Sequence, residues 1–145
     1  MAESDPERIS IEITRESDIV TARHAGRHLA KELGFGTIMQ SRIATSISEL
    51  ARNIYLFAGT GTITIAEVEV NGKKGVQITA TDSGPGIPDI RKALEDGYST
   101  TGALGAGLPG VRRMMDDFMI HSKPGEGTQV VVVKWCEPSG KGGAS

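Results

Sequence analysis

Several features common in secreted, membrane-bound or nucleic-acid-binding proteins are scarce in this sequence of 145 residues. Its one cysteine, Cys136, cannot form an internal disulfide, and no run of about 18 apolar residues could span a membrane. The formal net charge is −2, whereas bulk binding to nucleic acid needs a clustered cationic surface. The start, Met1 to Asp5, is acidic and lacks the basic-then-apolar order of a signal peptide. We therefore expect a cytoplasmic protein that binds neither nucleic acid nor membrane.

Glycine is the residue in excess, because 19 of the 145 residues are glycine, about twice ordinary usage. Part of the excess lies in the tail, and much of the rest lies between Gly84 and Gly127. The length allows one ordinary domain with its own core. We predict a single domain over residues 8–136, with disordered segments at 1–7 and 137–145.

Hydrophobic periodicity predicts elements in the order β-α-α-β-β-α-α-β-β. The expected strands are 8–14, 62–70, a strand with the inward row Val76, Ile78 and Ala80, 119–122 and 128–135; the expected helices start near 17, 37, 89 and 108. Thr37 and Gln40 have the spacing of a capping box, and the apolar phase slips near Ala66, which suggests a bulge. These elements predict an α+β two-layer sandwich, in which helices cover one face of a mixed, mostly antiparallel sheet.

Two polar residues, Glu49 and Asn53, lie beside the apolar seam of the second predicted helix. They are four residues apart, so their side chains are neighbours on one helix face. A carboxylate and an amide at the edge of a core can face a cleft. By themselves they are equally consistent with a polar helix flank that carries a local hydrogen bond.

A second candidate is the turn Asp82-Ser83-Gly84-Pro85-Gly86. Asp82 continues the inward row of the preceding strand, and a carboxylate there is costly without a hydrogen-bond donor. The amino group of adenine would be such a donor, and Gly84 and Gly86 would let the backbone approach a flat base. An ordinary turn remains the alternative.

The third candidate is the glycine-rich stretch Gly102–Gly110, whose backbone N–H groups before a helix would suit phosphate oxygens. It contains Gly-x-Gly-x-x-Gly at Gly105, Gly107 and Gly110, but no strand precedes it, so a dinucleotide fingerprint is rejected. The long polar loop 96–107 is more typical of a mobile lid over phosphates.

In this order and spacing, the three elements resemble the GHKL ATPase superfamily, which includes gyrase, the Hsp90 chaperone and histidine kinases. The resemblance implies a Bergerat-type ATP-binding fold with ATP and Mg²⁺ as cofactors. It implies that Asn53 holds Mg²⁺ and that Asp82 binds the adenine amine. The nucleotide-binding residues that it implies are Asn53, Asp82, Gly84, Gly86, Gly105, Ala106, Gly107, Leu108 and Thr128.

Within that superfamily, the stretches 32–36, 47–55 and 82–91 are similar to the stressosome switch-protein serine/threonine kinases. Anti-sigma-factor kinases usually have alanine after the motif asparagine, where this chain has Ile54. The resemblance, which covers about residues 8–135, implies phosphorylation of STAS-domain scaffold and antagonist proteins. It also implies that the released kinase binds and activates a phosphatase. Glu49, beside the metal ligand, is the candidate catalytic base.

Two other functions stay open at this point: an anti-sigma factor that sequesters a sigma factor, and a conformational ATPase module. The oligomeric state is also open. His24 and His28 have a spacing that can bind zinc, but no third ligand fits the pattern, so a solvated helix face is expected.

Overall fold

The computed structural model describes residues 8–86 and 104–136 of the chain. In chain order the elements are β1 (Arg8–Ile13), α1 (Ser17–Glu32), α2 (Thr37–Phe57), β2 (Gly61–Val70), β3 (Lys73–Asp82), α3 (Leu104–Met114), β4 (Asp117–Lys123) and β5 (Gly127–Trp135). The predicted helix at 89–95, most of the predicted lid, and the predicted disordered ends 1–7 and 137–145 lie outside these residues. No helix in the described part combines the length and the hydrophobicity needed to cross a membrane.

The strands form one sheet in the order β1-β2-β3-β5-β4, and each of these four pairings is antiparallel. The helices pack on one face of the sheet, where Ile63, Ile65, Val76 and Ile78 are fully buried with the apolar seam of α2. The predicted α+β two-layer architecture is therefore confirmed. The inward row of β3 is confirmed as well, because Ala80 continues it and is also buried.

Two local predictions about α2 and β2 are wrong. The pairing of β2 with β1 and β3 runs in unbroken register through Ala66, so there is no bulge. The alternation of apolar residues instead changes after Ala66, because Ala66 is the last residue of β2 that is paired with β1. Helix α2 begins after an extended Gly36 without a side-chain cap, and the Gln40 Nε2 donates to the Phe35 carbonyl oxygen at 2.8 Å. Gln40 therefore stabilises the connection between α1 and α2 in place of a capping box.

The boundaries of the third described helix also differ from the prediction. Helix α3 begins at Leu104, four residues before the predicted start, and contains Pro109 in its interior. The predicted start rests on the apolar spacing of Leu108, Val111, Met115 and Phe118, which begins only at Leu108. The helix ends at Met114, and Phe118 lies in β4, where it is paired with Val132.

Candidate functional site

A cavity of about 340 Å³ lies between the C-terminal half of α2 and the adjoining ends of β3 and β5. Its described lining residues are Leu50, Asn53, Ile54, Phe57, Ala58, Ala80, Asp82, Pro85, Gly86, Leu108, Thr128 and Val130. Most of these side chains are apolar, and the polar groups are few. This volume and this composition are typical of a pocket for a small organic ligand.

Helix α2 supplies one wall of the cavity through its apolar seam. Leu50 and Ile54 are one turn apart and nearly fully buried, and Phe57 continues the same face. Asn53 lies between them on the flank of the seam and is half-buried. The helix therefore presents a hydrophobic surface to the cavity with one amide at its edge.

Asp82 lies at the end of β3 and is half-buried in the opposite wall. Its Oδ1 accepts a hydrogen bond from the Gly84 N–H at 2.9 Å, which closes the turn after the strand. No donor among residues 8–86 and 104–136 is bonded to its other oxygen, Oδ2. The carboxylate thus has one oxygen committed to the turn and one available to a ligand.

The glycines of this turn are required by packing of the protein against itself. A Cβ at Gly84 would lie 2.6 Å from the Ala58 Cβ, at the end of α2. Gly86 has a φ of +80°, and a Cβ there would collide with the Lys123 carbonyl oxygen. We attributed both glycines to close approach of a base. The structure adds a requirement that exists without any ligand.

The turn between β4 and β5 fixes the other side of the cavity. Its Gly125 N–H donates to the Pro85 carbonyl oxygen at 2.7 Å, which connects it to the turn after β3. Thr128, directly opposite Asp82 in the register of β3 and β5, lines the cavity. The hydroxyl groups of Thr128 and Ser122 are 2.8 Å apart. Residues distant in sequence therefore form one continuous wall.

Glu49 lies beside the cavity, next to Gly107 of α3. A Cβ built on Gly107 would lie 3.1 Å from Glu49 Oε1 and 3.6 Å from both Asn53 amide atoms. The other carboxylate oxygen, Oε2, forms an ion pair with Arg52 Nη1 at 3.2 Å. Two elements separated by about 50 residues thus bring a carboxylate, an amide and a glycine backbone together.

The glycine-rich stretch differs from its predicted form. Gly105, Ala106 and Gly107 lie within the first turn of α3, not in a loop before it. N–H groups in the first turn of a helix have no partner inside the helix, so they remain available to an anion. Leu108 is buried and lines the cavity.

The predicted residues Asn53, Asp82, Gly86, Leu108 and Thr128 line one cavity, and Glu49 and Gly107 adjoin it. Gly84 is not among the described lining residues and packs against Ala58, which lines the cavity. The apolar lining from α2, Ala80, Pro85 and Val130 was not identified as part of a site. Its sequence signal was the apolar seam itself, which does not distinguish a core residue from a pocket residue.

No three His, Cys, Asp or Glu side chains in the described ranges are close enough to share a metal ion. His28 lies on the exposed face of α1, where its Nε2 is 3.1 Å from Glu32 Oε2. At the cavity, the oxygens of Asn53 and Glu49 are hard donors of the kind that Mg²⁺ prefers. These two side chains could therefore contribute oxygen ligands to a metal ion that has further ligands of its own.

Comparison with known proteins gives a family match and several curated relatives. Residues 38–138 match the family model of histidine kinase-, DNA gyrase B- and HSP90-like ATPases. The chain is similar to the serine/threonine-protein kinase RsbT of Bacillus subtilis, with 62% identity over 125 residues, which cover 86% of this chain and 94% of the relative. It is also similar to the anti-sigma F factor of a Thermoanaerobacter species, with 31% identity covering 64% and 68% of the two chains.

Solved structures share the fold at low sequence identity. The RsbU and RsbW domains of a Mycobacterium tuberculosis protein align with a TM-score of 0.61 at 19% identity, covering 94% of this chain and 34% of that one. A mycobacterial sensor histidine kinase, MprB, aligns with a TM-score of 0.55 at 14% identity, covering 92% and 99%. The arrangement of helices on an antiparallel sheet is therefore common to these proteins.

Proposed function

Since the chain belongs to the histidine kinase-, DNA gyrase B- and HSP90-like ATPase family and is an ATP-dependent protein serine/threonine kinase, we propose that it acts in a partner-switching stress response. Its substrates in this proposal are serine or threonine hydroxyls on STAS-domain scaffold and antagonist proteins of a stressosome. When released from them, it binds and activates a phosphatase. The proposed location is the cytoplasm.

The observation that supports nucleotide binding is the apolar cavity with the Asp82 carboxylate in its wall, and the partner-switching role is supported by the 62% identity to RsbT. A flat adenine ring would be desolvated between the side chains of α2 and the strand ends. Its amino group would donate to Asp82 Oδ2, because Oδ1 already accepts the Gly84 N–H. This arrangement would orient the triphosphate along α2 towards Glu49 and Asn53.

The phosphates would then lie between Asn53 and the first turn of α3. The free N–H groups around Gly105 and Gly107 would bind phosphate oxygens. Asn53 would hold Mg²⁺ through its amide oxygen, and the bound ion would neutralise charge on the triphosphate. The position of Gly107 beside Glu49 and Asn53 supports this assignment.

Glu49 would act as the base for transfer. The acceptor oxygen would form its bond to the γ-phosphorus as the bond from that phosphorus to ADP breaks, and the hydroxyl proton would pass to Glu49 Oε1. Oε2 is already paired with Arg52, which holds the carboxylate in place. Oε1, on the side of Gly107, is the oxygen available for the proton.

The discriminating experiment is incubation of the purified protein with γ-labelled ATP and a STAS-domain protein. We expect label on a serine or threonine of the partner, and loss of that label when the acceptor hydroxyl is removed. Release of free phosphate without partner labelling would contradict the proposed STAS-domain substrates.

Sequestration of a sigma factor is a second candidate, because relatives at 31% identity are anti-sigma F factors. The two functions differ in a simple binding measurement. A stable complex with a sigma factor in size-exclusion chromatography, without STAS-domain phosphorylation, would favour the second candidate.

A further inference from the structure

A second depression lies at the opposite end of α2 from the nucleotide cavity. Its volume is about 390 Å³, and its described lining residues are His24, Arg27, His28 and Lys31 of α1 with Thr37 and Gln40 of α2. We call it the basic groove. All six lining residues are polar or charged by type, whereas most residues that line the cavity are apolar, and the surface of the groove is formed largely by the aliphatic and ring carbons of these side chains.

Contacts between the two helices hold the groove in shape. The Arg27 Nη2 donates to the Ser41 hydroxyl at 3.2 Å, so the guanidinium group is held across the gap between α1 and α2. Gln40 is buried and uses its amide nitrogen on the Phe35 carbonyl oxygen. The depression is therefore part of the packing of α1 on α2.

The two permanent cations of the groove are not paired with acids of the described residues. Arg27 and Lys31 make no ion pair with a carboxylate among them, and Glu32, which follows Lys31 in the chain, pairs with His28. The whole chain, by contrast, has a formal charge of −2. Local positive charge on an acidic protein attracts negative groups of a partner and orients their approach.

The surroundings of the groove fit a protein segment better than a polyanion. Ile38, beside Thr37 in the first turn of α2, is 66% exposed. A segment with acidic and apolar side chains could contact the cations and Ile38 together. Two permanent cations are few for nucleic acid, since proteins that bind it commonly contact about six to ten phosphates.

We propose that the basic groove binds an acidic segment of a partner protein, whose aspartate or glutamate side chains pair with Arg27 and Lys31. The groove is separate from the nucleotide cavity, because Gln40 and Asn53 are about 20 Å apart along α2 at 1.5 Å per residue. If the groove does not bind an acidic segment, the function proposed above is unaffected. If that function is wrong, the groove can still bind an acidic segment.

The test compares two full-length variants with the same change in charge. Arg27→Glu with Lys31→Glu reverses the charge of the groove, and Lys73→Glu with Lys74→Glu reverses the two exposed lysines at the start of β3, where Lys74 pairs with Glu67. The probe is a fluorescein-labelled nonapeptide with the sequence Glu-Glu-Leu repeated three times, titrated by anisotropy at low salt. We expect affinity to fall about tenfold or more for the groove variant, as opposed charges become like charges, and to change little for the control.

Amide chemical-shift mapping should place the peptide on residues 24–41, and a fluorescent ATP analogue should bind the groove variant as it binds the wild type. An equal loss of peptide affinity in both variants would overturn the proposal. Peptide-induced shifts confined to residues outside 24–41 would overturn it as well. So would binding of duplex DNA or phosphatidylserine vesicles through the groove when the peptide does not bind. If the groove variant loses ATP binding, the titration is repeated with the single variant Lys31→Gln. For that variant we expect a smaller loss of peptide affinity and unchanged ATP binding.

Discussion

Helix α2 contributes to two depressions of similar volume and opposite chemistry. Its last two turns form a wall of the apolar cavity, in which the polar side chains are Asn53, Asp82 and Thr128. Its first turn contributes Thr37 and Gln40 to the basic groove, where the charges come from α1. The cavity suits a flat ring that gains by desolvation, whereas the groove suits a charged side chain that keeps some water. One amphipathic helix can therefore serve two ligands, and changes at one end should leave the other end intact.

The largest effect at the cavity end is expected from Glu49→Gln. The substitution keeps size and hydrogen bonding but removes the proton acceptor, so we expect phosphoryl transfer to fall by about a hundredfold or more. ATP should still bind, because Glu49 adjoins the cavity without lining it. The measurement is the labelling rate at saturating ATP beside a fluorescent-nucleotide titration. Glu69→Gln, on an exposed strand end, is the charge-matched control, and near-normal transfer by Glu49→Gln would remove the base assignment.

Asp82→Asn should weaken nucleotide binding by about ten- to a hundredfold, the range expected for loss of a charged hydrogen bond worth roughly 1.5–3 kcal/mol. Asparagine can still accept the Gly84 N–H with its oxygen. It then presents an NH₂ group, not an acceptor, to the adenine amine. Isothermal titration with ATP measures the effect, and Asp117→Asn on the exposed strand β4 is the control. Unchanged affinity would show that the Asp82 carboxylate does not contact the base.

The contrast between the two depressions also explains which of their residues could be predicted from the sequence. Glu49, Asn53 and Asp82 were predictable because helical spacing and strand alternation fix the face on which each lies. The groove was not predictable, because its cations lie on the polar face of α1, which the sequence pattern indicates to be exposed to solvent. Only the packing of α1 against α2, with Arg27 bonded to Ser41, makes that face one side of a depression.

The features that the sequence did not reveal have physical causes of the same kind. Gln40 has a capping-box spacing, but the Phe35 carbonyl oxygen is a nearer partner once the connection between the helices is folded. Gly84 is explained by Ala58, a residue 26 positions away, whose contact no local pattern can indicate. Periodicity predicts which face a residue occupies and says little about which neighbour it meets there.

Gly84→Ala should have an intermediate effect at the cavity end. The added methyl group would overlap the Ala58 Cβ, and overpacking of this kind typically costs about 1–3 kcal/mol of unfolding free energy. The double variant Gly84→Ala with Ala58→Gly should recover part of the loss, because the Ala58 Cα remains 2.9 Å from the new methyl group. Urea unfolding of the four proteins in this cycle measures the coupling. Additive single effects would show that Ala58 is not the obstacle.

The smallest effect is expected from Asp18→Asn, in the first turn of α1 and away from both depressions. Asp18 Oδ2 accepts the N–H groups of Thr14 and Arg15 at 2.9 and 3.0 Å, and these bonds, Thr14 first, hold the pKa of the carboxyl below its ordinary value. A lowered folded-state pKa stabilises the protein above the unfolded pKa of about 3.9, and that contribution is lost as the pH falls through the folded value. The variant should therefore melt below the wild type at pH 7, and the difference should shrink below about pH 4.

The control for this prediction is Glu16→Gln, a neighbouring exposed carboxyl whose removal should change the melting temperature less at every pH. Nucleotide affinity and peptide binding should both stay at their wild-type values in Asp18→Asn, because the hydrogen bonds it loses lie at the start of α1. A melting difference between Asp18→Asn and wild type that persists unchanged at pH 3 would mean that the helix is stabilised there by something other than the ionised carboxylate. A simultaneous loss at both depressions would mean that the two ends of α2 are not independent.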